Sequence, residues 1–416
     1  MFNHKVSFGQ NKFKPNKKSL ILIIRKQPGE IDWILPILNE IKNNVNILVI
    51  FEKKIALKLL RENKRLFKIF EQTASFYFCQ SFFRSFLTRF LNKICQESNL
   101  KFLSNYFSKL IFDKYYSLEN FEYLIRQNQP KFDLKDVKIL CQDFTDNSPW
   151  VKKFYDLNNF VNIIHYPHTT NIFSTNKESK LKQNNLNSTN HIFLSSFRDL
   201  NFFKKKYVNS NFYEIGYPKY SRSWLKKIHF NKKIKNEVSK TRIFIAYKGY
   251  DRFKYNLGEY KEQLNSLFLI AKKNNFQLLF KFHPNAQEEK EFLNIANSYS
   301  KNLWKITKKH LHLGSHESKI FISFFSNAAV LDALASNKIP IELWDIKLKK
   351  DELSNYSKLK LCISVKNYAE LEKKIHLLIE PKKKLNAGFL KNYKKIVKTE
   401  KSISKAKKII IQLLRF

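Results

Sequence analysis

Lys281-Phe282-His283-Pro284 closes an apolar run that begins at Gln277, and Ser323-Phe324-Phe325-Ser326-Asn327 closes another that begins at Lys319. Both put side chains able to bind phosphate where a buried strand would end. Pro284 stops a strand and keeps the residue before it extended. That aims His283 into the cleft as a donor to a phosphate oxygen, while Lys281 points the same way or outward. Ser326 or Asn327 can cap the helix that Ala328-Ala329-Val330 begins. Such a terminus offers unpaired N–H groups and partial positive charge. Separately, the serine segment also reads as an ordinary cap worth about 1 kcal/mol, and His283 as a turn residue. Together, in one α/β domain, they predict a pocket for a phosphorylated, nucleotide-linked ligand.

Two further strand ends carry chemistry. Asn162–Asn171 reads NIIHYPHTTN, so His165, His168, Thr169 and Thr170 cluster around the breaker Pro167. Two histidines and two hydroxyls can bind or deprotonate a substrate; the alternative is a polar turn with His165 partly buried. Leu140–Asn147 reads LCQDFTDN, which offers Asp143 or Asp146 as a general base or as turn formers. His310, His312 and His316 straddle Gly314 without cysteine or carboxylate partners in register, so no metal site is expected. GxGxxG and P-loop patterns are absent, and the chain has seven glycines. That argues against a dinucleotide dehydrogenase or P-loop kinase, and no cofactor is expected.

The elements that must position these groups alternate. A chain of 416 residues exceeds one compact core and predicts two domains. Strand patterns fall at Leu20–Ile24, Val45–Phe51, Val137–Cys141, Val161–His165, His191–Ser195 and Phe212–Ile215, with a helix over Asp32–Asn43. The rhythm repeats at Arg242–Tyr247, Gln277–Phe282, Leu303–Ile306, Lys319–Ser323, Ile339–Leu343 and Leu361–Val365. The fold class is therefore α/β: two Rossmann-like domains facing across a cleft, the first with a helical insertion. The expected organisation is a loose basic arm over 1–18 and an acceptor-side domain over 19–225, with its insertion at about 66–125. A basic hinge over 226–241, a donor-binding domain over 242–390 and a basic helix over 391–416 follow.

Lysine plus arginine number 77 against 35 acidic residues, a formal charge of +42. That favours polyanionic partners, although an A/T-rich coding sequence would also raise lysine. The aromatic-basic stretch Phe76–Phe112 reads as helices covering the sheet, as a face for an anionic membrane, or as a stack for single-stranded nucleic acid. No helix-turn-helix, zinc-finger or aromatic RNA-binding signature is present, so nucleic acid is not expected as a partner. The four cysteines lack CxxC spacing and read as core thiols. No secretory segment or run of about 18–20 apolar residues occurs. A cytoplasmic protein is expected, with the inner face of the membrane open as a peripheral site.

Over about Asn162–Leu343, the order PHTT, HIFLSSFRDLNFFKKKY, EIGYPKY, KFHPN and SFFSNAAVLDALASNKIPIEL resembles bacterial surface-polysaccharide transferases of GT-B fold. That group includes the CDP-glycerol glycerophosphotransferase-like, capsule and sialyltransferase-like families. The resemblance implies that His283, Pro284, Ser323, Ser326 and Asn327 bind the phosphates of a CMP- or CDP-activated donor. Lys281 and the Glu342 of PIEL fall on the same side. It implies a catalytic role for His168, although Thr169 stands where the glycerophosphotransferase-like pattern has glycine. Sialyltransferase-like members use an acid followed by glycine; Asp143, the nearest match, is followed by Phe144. His165, Thr169 and Thr170 fall on the acceptor side. The implied activity is metal-independent sugar transfer from a nucleotide-activated donor to a surface polysaccharide or lipid-linked glycan, with inversion expected. The alternatives are transfer of a polyol phosphate and a degenerate, scaffolding transferase.

Overall fold

The computed structural model describes residues 6–25, 28–79, 118–144, 148–157, 161–167, 190–196, 200, 203–204, 207, 209–229, 241–247, 257–283, 289–324, 328–343, 354–379 and 383–415. The described residues up to Trp224, with those from Thr399 onward, form one compact unit; Leu225–Lys398 forms the other.

The first unit is built on β1 (Val6–Phe8), β2 (Ser19–Ile24), β3 (Asn46–Phe51), β4 (Phe76–Cys79), β5 (Val137–Asp143), β6 (Asn162–Tyr166), β7 (Asn190–Leu194) and β8 (Asn211–Glu214). They lie in the order β1-β4-β3-β2-β5-β6-β7-β8. Only β1 is antiparallel to its neighbour. Every residue of β2 and β3 is buried. That is why these strands are continuous apolar runs rather than alternating ones: both faces of a parallel sheet are covered.

Three expectations need correction here. The predicted helical insertion over 66–125 contains β4, whose FYFC residues are all buried beside β3. Three aromatic side chains in four residues suit a sheet covered on both faces. Helices Lys64–Glu71 and Leu118–Arg126 lie on either side of it in sequence, and residues 80–117 lie outside the described residues. The arm over 1–18 is not loose where it is described. After β1, its backbone is strapped to the amino edge of the sheet by Asn46. The side chain of Asn46 accepts from Lys14 N–H at 2.9 Å and donates to Lys14 O and Lys17 O at 2.8 and 3.2 Å. Lastly, the single C-terminal helix is two. Lys383–Ile396 belongs to the second unit and Ser402–Leu413 to the first, separated by Lys401 at φ 58°. Helix Ser402–Leu413 packs on helix Pro28–Ile41, where Lys407 meets Glu40 at 3.3 Å. Of the expected hinge, Lys226–His229 finishes a helix that starts at Arg222, and residues 230–240 lie outside the described residues.

The second unit holds β9 (Arg242–Tyr247), β10 (Gln277–Phe282), β11 (Trp304–Ile306), β12 (Ile320–Phe324), β13 (Pro340–Leu343) and β14 (Ile363–Val365). Their order is β11-β10-β9-β12-β13-β14, all parallel. One face packs Ile243, Ile245, Leu278, Phe280 and Ile322 against helices Leu257–Lys273, Glu289–Ala296 and Tyr368–Ile379. The other packs Phe244, Ala246 and Phe321 against the short helix Ala329–Ala335.

Helix Leu311–His316 lies against that second face through Gly314, where an added Cβ would sit 2.1 Å from the Phe244 ring. Phe244 is fully buried and stacked on Phe321 at 5.3 Å, so the ring has no room to yield. Gly314→Ala is expected to cost about 1–3 kcal/mol through overpacking, read as a lower Tm. Adding Phe244→Leu to the same chain should recover part of the loss. An unchanged Tm for Gly314→Ala would contradict this contact.

Candidate functional site

In open α/β sheets a ligand lies outside the carboxyl ends of the strands, where the strand order reverses. In the second unit that point falls between β9 and β12. His283 reaches it. Phe282 pairs with Tyr247 at the strand ends, and His283 N–H then donates to Tyr247 O at 2.8 Å. The ladder thus runs one residue beyond β10 and holds half-buried His283 beside the last residue of β9.

One residue back from that edge, a row crosses five strands in register: Lys281, Ala246, Ser323, Glu342 and Ser364. Residues in register share a face, here the face of Phe244 and the two short helices. Lys281 and Ser323 flank β9, so their Cα atoms are about 10 Å apart, two strand spacings. Ser323 is fully buried, and among the described residues its hydroxyl has no hydrogen-bond partner. An unmet buried hydroxyl costs about 1–3 kcal/mol unless a further group reaches it. Glu342 is also fully buried, but its carboxylate is engaged: Ser354 Oγ donates to it, and the Cys362 thiol approaches at 3.6 Å. Burial, with that carboxylate, pushes the Cys362 thiol well up. Glu342, placed with the donor-side residues by sequence, therefore also fastens Ser354 to β13. Pro284, Ser326 and Asn327 lie outside the described residues.

The first unit reverses between β2 and β5, and Asp143 ends β5 there, buried and paired in register with Tyr166. His165 departs from its expected acceptor-side place, because it is fully buried inside a polar chain. Its Nε2 meets Asn190 Oδ1 at 3.3 Å, and its Nδ1 meets Gln142 Nε2 at 3.5 Å and Tyr207 Oη at 3.3 Å. Tyr207 Oη donates to Phe144 O at 2.7 Å. Asn190 Oδ1 can only accept, so Nε2 carries the proton and Nδ1 accepts from Gln142. Gln142 Oε1 in turn accepts from Ser148 N–H at 3.2 Å, and Ser148 Oγ donates to the Glu52 carboxylate. Glu52 N–H donates to Ile24 O at 2.8 Å, next to Arg25, whose Nε is 3.9 Å from the Glu52 carboxylate.

These partners were not singled out in the sequence. The signal was available in part: Gln142 interrupts an apolar strand, and a buried amide needs partners. His168, Thr169 and Thr170, and with them Asp146, lie outside the described residues. Of the third histidine group, His310 Nδ1 accepts from His312 N–H at 3.3 Å and caps its short helix. Among the described residues no group of three or more His, Cys, Asp or Glu is placed to hold a metal ion.

No family model matches the chain, and no curated protein matches it in sequence. Solved structures match it in fold. MnaA of S. aureus, solved with UDP, aligns at 12% identity over 96% of this chain and 98% of that one, with a TM-score of 0.58. UDP-GlcNAc 2-epimerase of Methanocaldococcus jannaschii, in complex with UDP-GlcNAc and UDP, aligns at 13% identity over 96% and 100%, with a TM-score of 0.53. UGT89C1 of Arabidopsis thaliana, complexed with UDP, aligns at 10% identity over 96% and 100%, with a TM-score of 0.56. These likenesses show the fold: two Rossmann-like domains of the GT-B type.

One titration tests the first unit's polar interior. His191 contacts Tyr213 Oη at 3.1 Å and Asn162 Oδ1 at 3.2 Å, and Asn162 Nδ2 donates to Leu413 O of the C-terminal helix at 3.3 Å. Burial pushes the His191 ring from 6.5 down to about 4. As pH falls below 6.5 the unfolded chain binds a proton that the folded chain refuses until about 4. The contribution to stability is therefore complete above 6.5 and is lost on the way down to about 4. Tm should fall across that window, and His191→Gln should flatten the slope. Equal slopes in both proteins would assign the pH dependence elsewhere.

Proposed function

We propose that the chain is a nucleotide-sugar enzyme that transfers a sugar from an activated donor to a glycan or lipid-linked acceptor. The observation that carries this is the buried hydroxyl of Ser323, without a partner among the described residues, two strand spacings from His283 across β9 at the point of reversal. A phosphate oxygen of the donor would take Ser323 Oγ–H and the His283 ring, with Lys281 adding positive charge. Pro284, Ser326 and Asn327 join them on the sequence resemblance alone. The sequence resemblance points to a CMP- or CDP-linked donor, and the fold neighbours were solved with UDP. A pyrimidine nucleotide satisfies both.

The acceptor side rests on Asp143 and His168. An acceptor hydroxyl would attack the anomeric carbon, its proton passing to one of these groups, while the bond to the nucleotide phosphate breaks. The leaving charge is stabilised by the donors around Ser323 and His283. Two other outcomes keep the same donor site. Transfer of a polyol phosphate would carry phosphorus into the product. Rearrangement of the donor sugar itself is favoured by the 2-epimerase among the neighbours and would need no acceptor. We place the protein on the cytoplasmic side; among the described residues no helix is long and apolar enough to cross a membrane.

Thermal shifts with UDP, CDP, CMP and GDP test the donor site. A bound nucleotide at 100 times its Kd raises stability by about 2.7 kcal/mol, and the pyrimidine nucleotides should stabilise while GDP does not. Ser323→Ala removes an unmet hydroxyl, so it should leave the Tm of the free protein level or higher while weakening nucleotide binding about tenfold. His283→Ala should weaken it by about tenfold to a hundredfold. Unchanged affinity in both variants would refute the site. Analysis of the products, for phosphorus and for a changed donor sugar, separates the three reactions.

A further inference from the structure

Helices Lys54–Glu62 and Lys64–Glu71 follow β3 in the first unit and have sharply divided faces. Ala56, Leu57, Leu60, Leu66, Ile69 and Phe70 are buried. The outward stripe carries Lys54, Lys58 and Arg61 at i, i+4 and i+7, then Lys64 and Lys68 at i and i+4, all exposed, with exposed Lys53 just before them. Neither helix exposes an acidic residue: Glu62 and Glu71 are half-buried, and Glu71 accepts from Tyr77 Oη at 3.2 Å. Among these cations stands Ile55, 44% exposed.

We propose that this face docks on an anionic lipid bilayer. A cluster of four to eight Lys or Arg on an amphipathic helix is drawn to the negative surface of such a bilayer and loses that attraction within a Debye length. Ile55 favours lipid over nucleic acid. A phosphate backbone offers an apolar side chain nothing, whereas the boundary between headgroups and acyl chains takes it up. Stacking on bases would need exposed rings beside the cations. Phe67 is half-buried, with the Arg61 guanidinium 5.7 Å from its centroid. The proposal stands independently of the nucleotide reading. It also differs in place from the sequence expectation for Phe76–Phe112, since Phe76–Cys79 is an interior strand.

The test uses the full chain and sedimentation with vesicles of phosphatidylcholine alone or mixed equally with phosphatidylglycerol. Binding is expected only to the mixed vesicles, and it should weaken as salt rises. The variant Lys54→Glu/Lys58→Glu/Arg61→Glu/Lys64→Glu should bind at least about tenfold more weakly, and Ile55→Ser should also bind less. All five positions are exposed, so the fold should persist, checked by an unchanged Tm. The control reverses four exposed lysines of the second unit, Lys391→Glu/Lys394→Glu/Lys395→Glu/Lys398→Glu, with the same change in net charge and little effect expected. The proposal is overturned if mixed vesicles are not bound, or if the control weakens binding as much as the helix variant. It is equally overturned if a duplex oligonucleotide displaces the vesicles while Ile55→Ser binds like the parent.

Discussion

A parallel sheet must be covered on both faces, and its crossovers must be right-handed; these two demands shape each unit of this protein. A chain that winds only one way from its first strand would cover only one face. It must return to the first strand and wind the other way. Both units do so at the fourth parallel strand, which lies beside the first: β5 beside β2, and β12 beside β9. The reversal sends neighbouring crossovers to opposite faces and leaves the carboxyl ends of two adjacent strands uncapped by a common connection. Asp143 stands at one of those ends, and His283 is held beside the end of β9, because of that winding.

The second consequence concerns polar atoms. The strands beside a reversal are the most deeply buried of the sheet, so a polar side chain on them must find a partner or carry the cost of lacking one. In the first unit one group of such side chains finds partners. Gln142, His165 and Asn190 lie on successive strands, and Ser148 and Glu52 extend the chain of contacts to the end of β2. The chain therefore fixes the carboxyl ends of β2, β3, β5 and β6 and the first residue of β7 relative to one another. His165 acts in that frame as a tie. In the second unit, Glu342 similarly fastens Ser354, yet among the described residues the hydroxyls of Ser323 and Ser364 in the same row are left without a partner. An unmet atom on a strand beside the reversal, as Ser323 is and Ser364 on the edge strand is not, is where a ligand gains most, because its oxygen replaces no bond already made.

The winding was legible in the sequence because it depends on apolar runs and their spacing. Twelve of the fourteen strands among the described residues coincide with runs read from the sequence. The two that were missed, β1 and β4, pair with each other at one edge of the first sheet. Neither had a local signal strong enough. Val6–Phe8 is three residues long, and Phe76–Cys79 sits in aromatic, basic sequence whose helical periodicity belongs to its flanks. The strap over 10–18 was illegible for a different reason. It is held by the side chain of Asn46, some thirty residues away, and nothing in a run of lysines and asparagines announces a partner that distant. At the candidate site, the residue types at strand ends could be read, but not their burial. Asp143 and His165 look equivalent on paper, each polar and each at the end of an apolar run. Register and neighbours separate them: His165 has Gln142 on one side and Asn190 near its other nitrogen, and Asp143 closes its strand at the reversal.

Charge follows the same division between what composition states and what placement decides. An excess of +42 says little by itself, since most lysines of a folded chain lie on a solvated surface. Their meaning depends on what surrounds them. Lys14 and Lys17 both donate to Asn43 O, at 3.1 and 2.8 Å, and so serve the strap. Lys407 meets Glu40 and helps seat the C-terminal helix. On the helices after β3, by contrast, the cations share one stripe with an exposed isoleucine, while the acids of those helices are half-buried. A merely solvated face gains nothing from an apolar residue at its centre, and exposing one costs about 25 cal/mol for each Å² left in water. Cations ordered around an apolar side chain suit an interface that is charged at its surface and apolar just beneath it.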